Sequence, residues 1–186
     1  MEIEELSVYL KEGNLHKKAK EQLYWPNVWN MYIEETTSVY NCLTTKEALV
    51  RMISEVNFKN RSQASSCEEL GVWIRVGDIC YIDFGINYIN EAGFQHFGVI
   101  LAIRNNKVLV VPMTSNVKAY RDAQGNDGKG HLMAIGKIEG MHRESTLFLN
   151  DSKFINSARI IDVKAHISTN SELFKKIKQR FHEMIG

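Results

Sequence analysis

The sequence predicts an α+β chain: helices first, then a small curled antiparallel sheet or barrel, then one closing helix. Three observations predict it. Thr44 and Glu47 make a capping-box pattern ahead of Leu49, Met52, Ile53 and Val56, which share one helical face. From Val72 onward the chain turns to short runs rich in Val, Ile and aromatics, such as RVGDICYIDFG, FGVILAI and KVLVVPMTS, separated by turn residues. Near the end, Leu173, Ile177, Phe181 and Met184 form a single apolar stripe.

Taken in order, Leu6, Leu10, Leu15, Ala19 and Leu23 recur at a spacing that predicts helix, with Pro26 breaking or restarting the pattern. The capping box then predicts a helix over residues 45–57 whose apolar face needs a partner. KNRSQASSCEELG, residues 59–71, is polar and aperiodic, so the boundary is expected near Val72, between a helical extension (1–71) and the main domain (72–186). Asn105 and Asn106 lie between two apolar runs and predict a tight hairpin joining strands at 97–103 and 108–114. Residues 117–130 are polar and glycine-bearing and read as an exposed loop. Further strands are expected at 131–137, 145–149 and 157–163, and a second capping-box pattern, Thr169 with Glu172, opens the last helix. Trp25, Trp29 and Trp73 are expected to be buried.

Composition excludes several classes. Among the 186 residues, 23 basic groups face 22 acidic ones, so nucleic-acid binding has to rest on a local patch. Residues 1–75 hold 9 basic and 11 acidic groups and the remainder 14 and 11, which places the basic surplus in the C-terminal part. No apolar run approaches the ~18–20 residues of a membrane helix, and the acidic N-terminus is no secretory signal, so the expected location is cytoplasmic. Cys42, Cys67 and Cys80 are odd in number with no CxxC spacing, which argues for buried or free thiols. No dinucleotide, P-loop, zincin, EF-hand or serine-hydrolase motif is present, and none of the six histidines pairs at metal-ligand spacing.

What remains is the order of three segments: 77-GDICYIDFGINYINEAGFQHFGVIL-101, 110-VVPMTS-115 and 145-STLFLNDSKFINSARI-160. Together they resemble the MazF/PemK family of toxins, over roughly residues 75–165. The resemblance implies a small SH3-like β-barrel of the MazF/PemK/CcdB kind with a C-terminal helix, and a homodimer. It also implies a metal-independent and cofactor-free endoribonuclease that cuts single-stranded RNA at short sequences, with an antitoxin as protein partner. Attack by the RNA's own 2′-hydroxyl needs a proton acceptor, a proton donor and hydrogen bonds to the phosphate, and leaves a cyclic phosphate and a free 5′-hydroxyl.

Carried over by position, the family's functional arginine falls on His96 and the threonine of its P(I/L/M)TS block on Thr114; these are the expected catalytic residues. Glu91, Ser115, Asp151 and Lys153 are the expected substrate contacts. An imidazole exchanges protons near neutral pH, whereas arginine mainly stabilises charge, so His96 alters the division of labour or abolishes it. By itself His96 suits a partly buried strand residue donating to a carbonyl; the motif is what adds the functional reading. Phe97 stands where the family has proline, and Tyr81, Tyr88, Phe94 and Phe97 suit either core or a stacking surface for bases. His131 and His142 are further acid–base candidates. The alternative is a non-catalytic module of the same fold that binds RNA, an antitoxin-like peptide or another protein; a topoisomerase-poisoning relative is a third.

Overall fold

The computed structural model describes residues 3–12, 15–124 and 129–186. Contacts divide the chain into two compact units, 1–49 and 50–186. The first contains α1 (Ile3–Glu12), α2 (Trp25–Asn41) and the first turn of α3 (Thr45–Arg61). Pro26 sits in the first turn of α2, where its missing N–H costs nothing. Within this unit Tyr9 stacks on Tyr24 with centroids 4.7 Å apart, and Trp25 on Trp29 at 6.0 Å. The capping box at α3 is fully formed: the Thr44 N–H and hydroxyl both donate to Glu47 Oε2, and the Glu47 N–H returns to Thr44 Oγ1. Those bonds hold the Glu47 carboxyl below its ordinary pKa of 4.5.

The second unit is built on a seven-stranded antiparallel sheet: β1 (Asp78–Asp83), β2 (Gln95–Arg104), β3 (Lys107–Thr114), β4 (Leu132–Lys137), β5 (Glu144–Phe148), β6 (Lys153–Asn156) and β7 (Ile160–His166). The strand order is β4-β5-β3-β2-β1-β7, with β6 pairing the first half of β3. The sheet is not closed, because β4 and β7 remain its two edges, so the barrel expected from the sequence is corrected to an open sheet. Two clusters fill its faces. Ile79, Val99, Val111, Met113 and Leu147 pack with Phe174 and Ile177 of α5 (Glu172–Ile185). Cys80, Ile82, Ile100, Val108 and Val110 pack with Cys67 and, at the margin, Val72 and Ile74.

The hairpin of β2 and β3 forms as expected. Asn105 and Asn106 take φ of 47° and 63°, the left-handed pair that a two-residue turn between twisted strands requires. Its register changes once: Phe97 pairs with Met113 and Ile100 with Val110, but Ala102 pairs with Leu109, leaving Leu101 as an extra residue in β2.

The glycine–aspartate pair that opens the first motif is architectural. Gly77 has φ of +93°, and a Cβ there would lie 2.2 Å from the Ile167 carbonyl oxygen. Asp78 is buried, accepting from the Arg75 N–H at 2.8 Å and from His166 Nδ1 at 2.8 Å.

Several expectations are corrected. Residues 117–124 form a helix, α4 (Val117–Gln124), started by Asn116, whose Oδ1 accepts from the Lys118 and Ala119 N–H groups; Gly125 and Gly128 lie outside the described residues. Helix α5 starts at Glu172 with Ser171 as its cap, since Ser171 Oγ accepts from the Phe174 N–H, so the Thr169 pattern is two residues early. The strand expected at 157–163 is β7, shifted to 160–166 by a 3-10 turn at Ser157–Arg159. Trp29 and Trp73 are exposed, not buried. Cys42 is exposed, while Cys67 and Cys80 are buried; burial, followed by the Asp78 charge, pushes the Cys80 thiol up to about 12.

The second half of α3 is turned opposite to expectation. Met52, Ile53 and Val56 are exposed, and the face held against the sheet is polar. Asp83, buried at the end of β1, explains this. Ser54 Oγ donates to Asp83 Oδ1 at 2.7 Å, Asn57 Nδ2 to Oδ2 at 2.7 Å, and the Gly85 N–H to Oδ1 at 2.9 Å. Gln95 Nε2 donates to Oδ2 at 3.2 Å and to Ser54 Oγ at 2.7 Å. A buried carboxylate needs donors, and α3 supplies them in place of apolar packing.

Candidate functional site

Successive strand residues point to opposite faces, so Gln95 reaches Asp83 while His96 turns the other way. Across the hairpin, Phe97 pairs with Met113, which sets His96 opposite Thr114 one step further toward the open end. Both line a groove of about 480 Å³, together with Glu91, Pro112, His131 and Asp151. Four of the six residues singled out from the sequence, His96, Thr114, Glu91 and Asp151, are thus brought together.

The exposed His96 ring is held by one bond, from Nδ1 to the Gly93 carbonyl at 2.5 Å. A carbonyl only accepts, so Nδ1 carries the proton and Nε2 of the neutral ring keeps a free lone pair. The ring thus makes the carbonyl bond of the strand-residue reading, and that bond orients it. Thr114 Oγ1 accepts from the Asn116 N–H at 3.2 Å, an ST turn that leaves its proton for an acceptor in the groove.

The loop between β1 and β2 carries Gly93 and is internally braced. Asn87 Nδ2 donates to the carbonyls of Tyr88 and Glu91, both at 2.8 Å. Glu91 accepts from the Tyr88 N–H at 3.3 Å. Asp151 Oδ2 accepts from the Ala92 N–H at 2.8 Å, tying the loop to the 3-10 turn at Leu149–Asp151. Glu91 and Asp151 are thus engaged in holding the loop. Gly93 is required because a Cβ would fall 1.8 Å from Asn87 Oδ1.

Ser115 and Lys153 lie elsewhere. Ser115 lines an adjoining groove with Phe97, His142 and Arg143, which meets the first at Thr114. The Lys153 ammonium sits 5.7 Å above the Phe84 ring and is not among the residues lining the His96 groove. Tyr81 and Phe97 are a cross-strand pair with rings 5.2 Å apart, and Tyr88 is exposed at the loop tip. Sequence reasoning missed Asn87 and Gly93, whose signal is an Asn and a Gly six positions apart within the loop between β1 and β2. It also missed Gln95 and Ser54, which carry no local signal. Among the described residues no cluster of His, Cys, Asp and Glu is arranged to hold a metal, and no helix is long and apolar enough to cross a membrane.

No family model matches the chain, and no curated protein matches its sequence. Among solved structures it is similar to MazF (Form-I) from Deinococcus radiodurans, at 12% identity and a TM-score of 0.47, covering 61% of this chain and 96% of that one. It is also similar to MazE-MazF (Form-II) from the same organism, at 12% identity and a TM-score of 0.43, with 61% and 96% covered. A third is the Mycobacterium tuberculosis toxin MazF-mt6, at 13% identity and a TM-score of 0.39, with 59% and 92% covered.

Proposed function

We propose that this chain is a toxin of the MazF/PemK kind, a metal-independent endoribonuclease acting on single-stranded RNA. The observation that carries the reading is that His96 and Thr114 line one groove, with His96 Nδ1 tied to the Gly93 carbonyl so that Nε2 is the nitrogen left to act as a base. In this reading Nε2 takes the proton of a ribose 2′-hydroxyl. The oxygen attacks the adjacent phosphorus and the bond to the 5′-oxygen breaks, leaving a 2′,3′-cyclic phosphate and a 5′-hydroxyl. Thr114 donates to a phosphate oxygen, and His131, in the same groove, protonates the leaving oxygen. Glu91 and Asp151 act by holding the loop. Ser115 extends the contact surface into the adjoining groove. A homodimeric state, an antitoxin partner and cytoplasmic action belong to the same proposal.

The test incubates the protein and its His96→Ala variant with a long unstructured RNA in EDTA and maps new ends. Cutting by the parent alone at a recurring short sequence, with free 5′-hydroxyl ends, is expected. No cutting at micromolar protein would overturn the catalytic reading and leave the non-catalytic module.

A further inference from the structure

On the opposite side of Gln95 from His96, the polar face of α3 and the end of β1 enclose a second cavity, of about 420 Å³. We infer that it is a binding site for a nucleoside phosphate, distinct from the His96 groove. Arg61 and Arg159 supply its positive charge, beside the carboxylates of Asp83 and of Glu55, which pairs with Arg51. Arg61 Nη1 donates to the carbonyls of Ala158 and Ile160, at 3.3 and 3.0 Å, on either side of Arg159. Arg159 Nη1 donates to the Asp83 carbonyl at 3.3 Å.

Each guanidinium thus spends only Nη1 on backbone oxygens, and among the described residues neither has a carboxylate partner. Their remaining N–H groups suit the oxygens of a phosphate. Asp83 does not compete, because its carboxylate already accepts four hydrogen bonds from neutral donors.

The rest of the wall suits a base. Asn57 must turn Nδ2 toward the Asp83 carboxylate, which leaves Oδ1 as an acceptor. Asn156 must turn Oδ1 toward the Ala158 N–H, which leaves Nδ2 as a donor. One free acceptor and one free donor match the mixed edge of a nucleobase, and the exposed Phe58 ring provides a stacking surface. This site does not depend on the nuclease reading. The same chemistry could come from a free mononucleotide or from one nucleotide of an RNA strand.

The experiment is calorimetric titration of the full chain with adenosine 5′-monophosphate, adenosine, inorganic phosphate and a 2′-O-methyl oligoribonucleotide that cannot be cleaved. Adenosine 5′-monophosphate is expected to bind with Kd below about 1 mM, more tightly than adenosine or phosphate alone. Arg159→Ala is expected to weaken it about tenfold and Phe58→Ala several-fold, since both side chains are exposed and neither carries the fold. His96→Ala is expected to leave it unchanged. Competition by the oligomer, sensitive to Arg159→Ala, would assign the site to an RNA strand, and binding of the mononucleotide alone would assign it to a free nucleotide. No saturable binding would overturn the inference. So would binding lost in His96→Ala and kept in Arg159→Ala, which puts the nucleotide in the other groove. RNA cleavage by the same proteins is scored separately, so the two readings fail independently.

Discussion

The Asp78 carboxylate receives His166 Nδ1 at 2.8 Å, from a residue 88 positions further along the chain. The bond joins the start of β1 to the end of β7, where the two strands are paired edge to edge. Asp78 is 4% exposed, and removing it leaves the Arg75 N–H and His166 Nδ1 without their acceptor. Asp78→Ala should therefore lower stability by about 2–3 kcal/mol, read from urea unfolding. His166→Ala should cost less, because that side chain is 29% exposed and water replaces it. Equal losses would mean that the bond to His166, rather than those from the Arg75 N–H and Nε, carries the contribution of the carboxylate.

Gly93→Ala tests the loop that orients His96. The added Cβ displaces the Asn87 side chain and with it the two carbonyl bonds that fix the turn. RNA cleavage should fall about tenfold or more, with the thermal midpoint nearly unchanged, because the loop contributes little to the core. A full cleavage rate would show that the Gly93 carbonyl is not what positions the ring.

The thiols should separate cleanly. Cys42 is exposed, whereas Cys67 and Cys80 are buried, the latter with its pKa pushed up to about 12 by burial first and the Asp78 charge second. At pH 8 the Cys80 thiolate fraction is roughly one in ten thousand. A thiol-reactive dye should label one cysteine promptly and the other two only on denaturation. Peptide mapping that finds Cys80 labelled in the native protein would contradict the packing around β1.

Helix α3 should lose its cap in acid. The Glu47 carboxyl is lowered in the folded state by its hydrogen bonds from Thr44, so it favours folding above its ordinary pKa of 4.5. That contribution fades as pH falls below 4.5 and through the lower folded value. In Glu47→Gln the corresponding part of the acid slope in stability should vanish, measured as urea midpoints between pH 3 and pH 6. An unchanged slope would assign it to other carboxylates.

The hairpin was legible because its signal is local, whereas His96 and Thr114 were singled out only through the family resemblance. Two asparagines mark a left-handed turn, and alternation then dictates which residues face each other. Helix α3 was legible as a helix but not in its orientation. Its apolar stripe invites burial, yet the demand of Asp83 for donors turns Ser54 and Asn57 inward, and that one residue lies 29 positions from the first and 26 from the second. Helix α4 was hidden by its polarity, although Asn116 was a cap in plain view. Closure of the sheet depends on how the ends of β4 and β7 meet in space, which no local pattern encodes. Lys153 shares a motif block with Asp151, but the start of β6 carries it to the Phe84 ring.

The extra residue in β2 determines which hydroxyl His96 meets. The register between Ala102 and Arg104, continued without interruption, would set His96 opposite Ser115. Leu101 shifts it by one, and Thr114 takes that place. A turn and a bulge at the far end of the hairpin, with no chemistry of their own, thus choose the partner of His96. Removing Leu101 itself would leave an unbroken ladder in which Ile100 still meets Val110 and His96 still lies opposite Thr114, whereas removing a residue of the Asn105–Asn106 turn would slip the register by one and exchange the faces on which side chains emerge.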